Sequence, residues 1–418
     1  MPQTEKRKRR GLFARKRVRR APEQSRSQGQ SQARGQSQGR SVSHPAAGRM
    51  DLPFLLLTLL LTVMGLVMLF SASFPSANYE SGDPAYYLKR QGLFAVLGII
   101  AMLVMARMDY HRLRGMAKIL LYLSFFLLVL VLIPHVGITK NNSTRWLGKE
   151  GVLTFQPSEI AKLAIIVYFA NSISKKKNLM ENFKYGIRPY ILILAVFAGL
   201  MLLEPHLSGT ILIVGTGIVL MMVGGIDKRW VIGGFSGVAA LGLAYVKLVE
   251  AGVISYGADR IRMWKDPFVD AQGDGYQLSQ SLITIGSGGL TGVGLGKGRQ
   301  KFLYLPEEHN DFIFAVVCEE LGLIGATLVM LVFALLILRG FWIALQARDR
   351  FGSLLVVGVM TQIGLQTFLN IAVVTGFVPT TGISLPFFSY GGTALALQLF
   401  EMGIVLSVSR QIPAPRGG

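Results

Sequence analysis

Ten apolar runs divide this chain, at about 52–72, 88–107, 116–135, 157–174, 189–204, 208–225, 230–248, 312–338, 353–376 and 386–408. A helix needs roughly 20 apolar residues to cross a bilayer core. Backbone in lipid must satisfy its own hydrogen bonds, which for segments of this length leaves the α-helix. The pair at 189–225 is the shortest. Half of the residues are apolar and only 16% are charged, which excludes an ordinary soluble domain. The expected fold is an all-α polytopic membrane protein with ten transmembrane helices and a large extracytoplasmic loop between helices 7 and 8. The expected domains are a basic tail at 1–50, a ten-helix body at 51–410 and a short tail at 411–418.

The basic residues orient the chain. Arg107, Arg112, Arg114 and Lys118, then Lys175 to Lys177 with Lys184 and Arg188, then Lys228 and Arg229, then Arg339, Arg348 and Arg350, then Arg410 all fall in alternate connections. With ten spans these connections share one side with the N-terminus, and the positive-inside rule makes that side the cytoplasm. Both termini are then cytoplasmic, the expected location is the cytoplasmic membrane, and the connection 249–311, with six Lys/Arg against eight Asp/Glu, lies outside.

The net charge of +20 does not indicate nucleic-acid binding. Residues 1–49 hold fourteen Lys/Arg and two Glu, so the tail alone accounts for +12. Its Gln, Ser, Gly and Arg cannot build a core and are expected to be disordered. Such a tail suits an anchor on anionic membrane lipid; a docking site for a cytoplasmic protein is the alternative. The single cysteine, Cys318, falls within a span and excludes an intramolecular disulfide.

Chemistry concentrates in three outer segments. The first holds Arg145 and Trp146 and leads into Gln156-Pro-Ser-Glu159 with Lys162. Glu159 and Lys162 are one helical turn apart just inside the membrane, where they can neutralise each other. A buried ion pair that only fixes helix packing is the plain alternative. The second segment contains Arg260, Gln277 and the glycine run from Gly286 to Lys297 and Arg299. That run is not a phosphate-binding P-loop, because residue 298 is Gly where Ser or Thr would hold magnesium. Its N–H groups beside Lys297 and Arg299 can still hold a phosphate, or the run is a plain flexible loop. The segment ends in Glu307, Glu308, His309 and Asp311 at the mouth of a span, with Glu319 and Glu320 two turns inside. Charge at such depth is costly and usually functional. The third segment, Thr375 to Thr393, carries Pro379, Pro386 and Ser389 with four glycines. Irregular backbone at membrane depth is tolerated where it lines a cavity or is buried in protein. Together the three segments imply one cavity open to the outside, for a substrate partly lipid and partly polar.

On these residues the chain resembles the SEDS family (shape, elongation, division and sporulation), the family of FtsW, RodA and SpoVE. Its patterns appear as Arg145-Trp-Leu147, Gln156-Pro-Ser-Glu159 with Lys162, Gly275-Tyr-Gln277 with Gln280-Ser281, Tyr304-Leu-Pro-Glu307, His309 through Gly322, and Leu385-Pro-Phe387 with Ser389-Tyr-Gly-Gly392. The resemblance covers residues 52–410. Two positions depart from it: Asn310 stands where Thr is common, and His206 follows Pro205 where Asp is common.

The resemblance implies a peptidoglycan glycosyltransferase that polymerises lipid II into β-1,4 glycan strands on the outer membrane face. It places the essential aspartate at Asp311, and implies a single-pass class B penicillin-binding protein as partner, together with other divisome proteins. The Gly296-Lys-Gly-Arg-Gln-Lys301 run and the long tail favour the division and sporulation branch over elongation. An α-linked donor and a β-linked product imply a single inverting displacement. It needs a base at the acceptor hydroxyl and cations on the leaving pyrophosphate. Asp311 is the expected base; capping of its helix is the structural alternative. Arg145, Arg260, Lys297 and Arg299 are the candidate cations. Trp146, Glu159, Lys162, Gln277, Glu307, His309 and Ser389 complete the expected substrate site. A divalent cation (Mg or Mn) on Asp311, Glu307 and Glu308 is a further hypothesis. The rival functions are a lipid II flippase and a non-catalytic scaffold of the division machinery.

Overall fold

A computed structural model describes residues 48–140, 143–149, 153–176, 179–251, 258–273 and 275–412. The basic tail lies outside the described residues, apart from its last positions, as does the terminal tail beyond 412. Three helices open the body: α1 (Leu52–Ser81), α2 (Tyr86–Arg107) and α3 (Arg112–Val131). Three short strands follow, β1 (Ile138–Lys140), β2 (Ser143–Lys149) and β3 (Leu153–Phe155). After them come α4 (Pro157–Lys175), a π-helical turn at Phe183–Ile187, α5 (Arg188–Leu203), α6 (Leu207–Val223) and α7 (Lys228–Glu250). The long connection carries α8 (Ala258–Lys265) and α9 (Tyr276–Gly288), and the chain closes with α10 (Ile313–Gln346), α11 (Arg350–Val374) and α12 (Gly392–Arg410).

A helix occupies each of the ten predicted apolar runs. Seven helical segments among the described residues are long and apolar enough to cross a membrane: α1, α2, α3, the segment Phe183–Leu203, α10, α11 and α12. α6 is apolar but shorter. The fold is an all-α polytopic membrane architecture.

Between apolar helices in lipid the cohesive force is close packing, which favours small residues at the contacts. α2 lies along α12, where Gly98 fits against Leu399 and Gly403 lies on the backbone of Met102. Further contacts join α10 to α11, α3 to α4, and α1 to α10.

The first outer segment forms an antiparallel meander in the order β1-β2-β3. Ile138 pairs with Trp146, and Leu147 with Phe155. Alternation along Ser143-Thr-Arg-Trp-Leu sends Arg145 and Trp146 to opposite faces of the strand. Irregular backbone at 376–391 is confirmed, and its second half is buried in protein: Leu385, Phe387 and Phe388 are almost inaccessible, whereas Phe377 is exposed. α10 is a different case. It breaks at Gly322 (φ 67, ψ −172) within an unbroken apolar run. Leu323 N–H and Ile324 N–H donate across the break to the carbonyls of Gly289 and Leu290, while Val293 and Gly294 donate to those of Glu319 and Glu320. The glycine run is therefore spliced into a broken helix, and a Cβ on Gly322 would strike the backbone of Leu290 and Gly292.

Candidate active site

A cavity of about 790 Å³ lies among β2, α4, the α5–α6 corner, α9 and the segments 307–311 and 380–395. Arg145, Trp146, Glu159, Lys162, Gln277, Glu307, His309, Asp311 and Ser389 all line it. Residues more than two hundred positions apart thus meet, as a single outer cavity requires.

Asp311 stands just before α10. Its helix begins at Ile313 with Phe312 as N-cap and no side-chain capping bond, so Asp311 does not serve as a cap. Its backbone carbonyl accepts from Asn370 Nδ2 at 2.8 Å. Among the described residues none donates a hydrogen bond to its carboxylate, although the side chain is largely enclosed. Burial, reinforced by the neighbouring Glu307 carboxylate, pushes its pKa up to about 6, and Arg145 and His309 oppose that rise. A carboxylate poised there ionises near neutrality and retains real basicity.

The segment bearing Asp311 is fastened on its far side. Ser389 Oγ donates to Asn310 O at 2.6 Å and accepts from Leu385 N–H at 2.7 Å. Tyr390 N–H donates to His309 O at 2.9 Å. Asn370 joins both sides, donating to Ile383 O at 2.6 Å as well as to Asp311. The expected substrate contact at Ser389 is revised accordingly: its hydroxyl is occupied in holding two loops together. Glu307 sits at positive φ (55°), where its carboxylate accepts from Asn310 Nδ2 at 2.6 Å. The His309 ring lies tilted on Tyr87, 4.5 Å between centroids.

Arg145 projects from β2 and is fixed by carbonyls of the α5–α6 corner, donating to Glu204 O at 3.3 Å and to Pro205 O. Glu159 lies 2.8 Å from the Lys162 ammonium on the same face of α4. This is the pairing the sequence spacing predicts.

Lys297 and Arg299 do not line the cavity. The glycine run does hold an anion, but an internal one. Gly296 N–H donates to Glu320 Oε2 at 2.9 Å, and Arg299 N–H to Glu319 Oε1 at 2.8 Å. The backbone donors that could have cradled a phosphate are thus taken by carboxylates of the same chain. The side chain of Arg260 lies outside the described residues.

The metal hypothesis is not matched by the donor set. Among the described residues no three of His, Cys, Asp and Glu gather closely enough to hold a metal ion. Glu308 is buried away from the cavity, 3.5 Å from His309.

Several cavity residues were not singled out from sequence. His206 contacts Gln156 at 3.0 Å and Ser158 at 3.3 Å, and burial lowers its pKa to about 3, so the imidazole is neutral. Arg90 and Tyr87 line the wall from the start of α2, and Trp264 from α8, where its indole N–H donates to Gly376 O at 2.9 Å. Gln91 braces the third segment, donating to Ser389 O and accepting from Gly391 N–H, both at 3.1 Å. A glutamine inside an apolar run was the available signal.

Comparison with known proteins agrees with this geometry. The model of the cell cycle protein family of FtsW, RodA and SpoVE matches residues 51–413. Stage V sporulation protein E of Bacillus subtilis is 44% identical over 361 residues, covering 86% of this chain and 97% of the relative. The probable peptidoglycan glycosyltransferase FtsW of Geobacter metallireducens is 40% identical over 364 residues, covering 87% and 96%. Among solved structures, a chain of a peptidoglycan synthase complex that coordinates polymerization and crosslinking aligns with a TM-score of 0.71 at 29% identity, covering 86% of this chain and 98% of that one. The rod shape determining protein RodA of Thermus thermophilus aligns at 0.63 with 28% identity, covering 88% and 98%.

Proposed function

From its membership of the FtsW, RodA and SpoVE family, to which this chain belongs, we infer that it is a multi-pass membrane peptidoglycan glycosyltransferase that polymerises lipid II, with Asp311 as the general base. The observation that carries the assignment of the base is the largely enclosed Asp311 carboxylate, raised to about 6 in a cavity it shares with Arg145.

The reaction follows from those groups. The acceptor 4-hydroxyl approaches the anomeric carbon of the donor on the face opposite its pyrophosphate. A new C–O bond forms as the anomeric bond to the pyrophosphate breaks. The hydroxyl proton passes to Asp311, and the lipid pyrophosphate departs with the bonding pair. One displacement converts an α-linked donor into a β-linked product without a covalent enzyme intermediate. Arg145 is the cation we assign to the leaving pyrophosphate, because it lines the cavity together with Asp311 whereas Lys297 and Arg299 do not. A guanidinium held by carbonyls before the reaction begins needs little reorganisation as charge develops. Trp146, Gln277 and Arg90 supply the remaining wall of the sugar site.

Ten spans with both termini in the cytoplasm belong to the same proposal, supported by a helix in each apolar run and by the distribution of basic residues; on that reading the cavity opens on the outer face. A class B penicillin-binding protein is the proposed partner, supported by the likeness to a synthase complex that couples polymerization to crosslinking. Other divisome proteins, and anionic lipid for the basic tail, complete the proposed surroundings. Similarity to a sporulation protein and to FtsW proteins supports septal or spore-wall synthesis over elongation.

The test uses purified protein with its partner in liposomes containing labelled lipid II. Wild type should make glycan polymer, and folded Asp311→Asn should make none. Equal polymer from both would remove Asp311 as the base; none from either, with partner bound, would favour a flippase or a scaffold.

A further inference from the structure

The tip of the segment 302–311 faces the cavity, while its two ends close on charges that line no cavity wall. Lys301 Nζ lies 2.7 Å from Glu320 Oε1 and also donates to Ser71 Oγ at 3.0 Å and Gly296 O at 2.9 Å. Ser71 Oγ is 2.7 Å from both Glu320 oxygens, and Glu320 Oε2 accepts Gly296 N–H. Lys301 and Glu320 are 2% and 1% exposed. Every donor of the buried ammonium therefore has an acceptor, and both carboxylate oxygens are used. Residues of α1, the glycine run and α10 are committed to one knot.

Chain order gives this knot its meaning. Lys301 begins the segment that leads to Asp311, and Glu320 ends the half-helix that follows it, just before the break at Gly322. The ion pair thus closes the neck of a loop with Asp311 near its middle. The far rim of that loop is tied to the third outer segment through Asn310 and His309, and to α11 through the Asp311 carbonyl, which accepts from Asn370. Buried ion pairs add little net stability compared with apolar packing, and their best-attested use is fixing register.

We propose that the buried Lys301–Glu320 pair, seated on Ser71, is a clasp that sets the position of Asp311 in the cavity, so that Lys301, Glu320 and Ser71 are positioning residues for glycosyl transfer. The inference rests on the reading of Asp311 as the base. It requires that the clasp order the segment 302–311 locally and act on turnover more than on substrate binding.

The experiment uses the full chain with its partner in nanodiscs. Lys301→Met/Glu320→Gln removes both charges together, keeps an acceptor for Ser71 and Gly296, and fills the lysine volume, so no lone buried charge remains to unfold the protein. Three readouts are compared with wild type: melting temperature, amide hydrogen exchange by peptide, and the kinetics of lipid II polymerisation. The double variant should melt within a few degrees of wild type. Exchange should rise about tenfold or more across 302–312 and stay unchanged in α11 and α12. kcat should fall about tenfold or more with KM within about twofold, and Lys301→Arg, which keeps the pair, should recover most of the loss. A folded double variant with wild-type exchange across 302–312, or with wild-type kcat, overturns the clasp. Wild type without polymer, but with exchange that responds to the double substitution, would keep the clasp as an ordering device and dismiss the glycosyltransferase reading instead.

Discussion

Asp311→Asn should destroy activity and, at neutral pH, make the protein harder to unfold. The carboxylate moves from an ordinary 3.8 to about 6 in the folded state, first through burial and then through Glu307. At about 1.4 kcal/mol per pH unit, holding it ionised at pH 7.5 costs the fold at most about 3 kcal/mol. Water reaches part of the side chain, and this screening reduces the figure to about 1–2 kcal/mol. Because the folded pKa lies above the unfolded one, the folded state binds the extra proton between about 3.8 and 6. The penalty is therefore absent below about pH 4, grows as pH rises through 6, and is complete above it. Asparagine carries no charge at any of these values. Melting at a fixed scan rate, needed because such proteins unfold irreversibly, should show the variant about 1–4 °C above wild type at pH 7.5 and level with it near pH 4. Polymerisation should fall by about 10²–10⁴, and the wild-type rate should decline on the acid side with a midpoint near pH 6. A variant that melts lower than wild type at pH 7.5 would make Asp311 a structural anchor, and the base assignment would fail with it.

The other expectations concern its neighbours. Arg145→Gln removes the charge; kcat/KM should drop about tenfold or more, and the acid limb should move above pH 6, because the Arg145 guanidinium is one of the groups holding Asp311 down. A limb that stays in place would separate Arg145 from the base. Ser389→Ala removes the hydroxyl between Leu385 and Asn310 and leaves a buried N–H unpaired, which should cost about 1–3 kcal/mol in melting experiments. Unchanged melting would show that water replaces the hydroxyl. Gly322→Ala places a Cβ at φ 67 against the backbone of Gly292, a loss of about 3 kcal/mol or more. Its folded yield in detergent should collapse, and normal yield would mean that the helix break relaxes without penalty.

The sequence disclosed what depends on local pattern. Hydropathy located the long helices, and spacing alone paired Glu159 with Lys162. Proline and glycine density marked the irregular segment after α11. What it concealed depends on partners distant in the chain. The break in α10 is silent in hydropathy because Leu321, Gly322 and Leu323 continue an apolar run; it exists because Gly289, Leu290, Val293 and Gly294 come close enough to pair the freed backbone groups. Lys297 and Arg299 beside a glycine turn suggested a phosphate cradle or a plain flexible loop; two backbone N–H groups of this run instead bind internal anions. The anions are Glu319 and Glu320, about twenty residues downstream, which the sequence showed only as charge inside a span. Ser389 was located correctly, but a hydroxyl that grips two loops looks the same in sequence as one that awaits a sugar.

These two kinds of buried charge divide the work of the site. Glu320 is surrounded by an ammonium, a hydroxyl and a backbone N–H, so it is fixed in place and its ionised form is satisfied. Asp311 is enclosed but receives no hydrogen bond among the described residues, so its ionised form remains eager for a proton. A satisfied carboxylate is a poor base and a good anchor, and an unsatisfied one is the reverse. Placing the satisfied one at the neck of the loop and the unsatisfied one at its tip lets the fold tolerate a costly group where a hydroxyl must be deprotonated, because the segment that carries it is held at both ends.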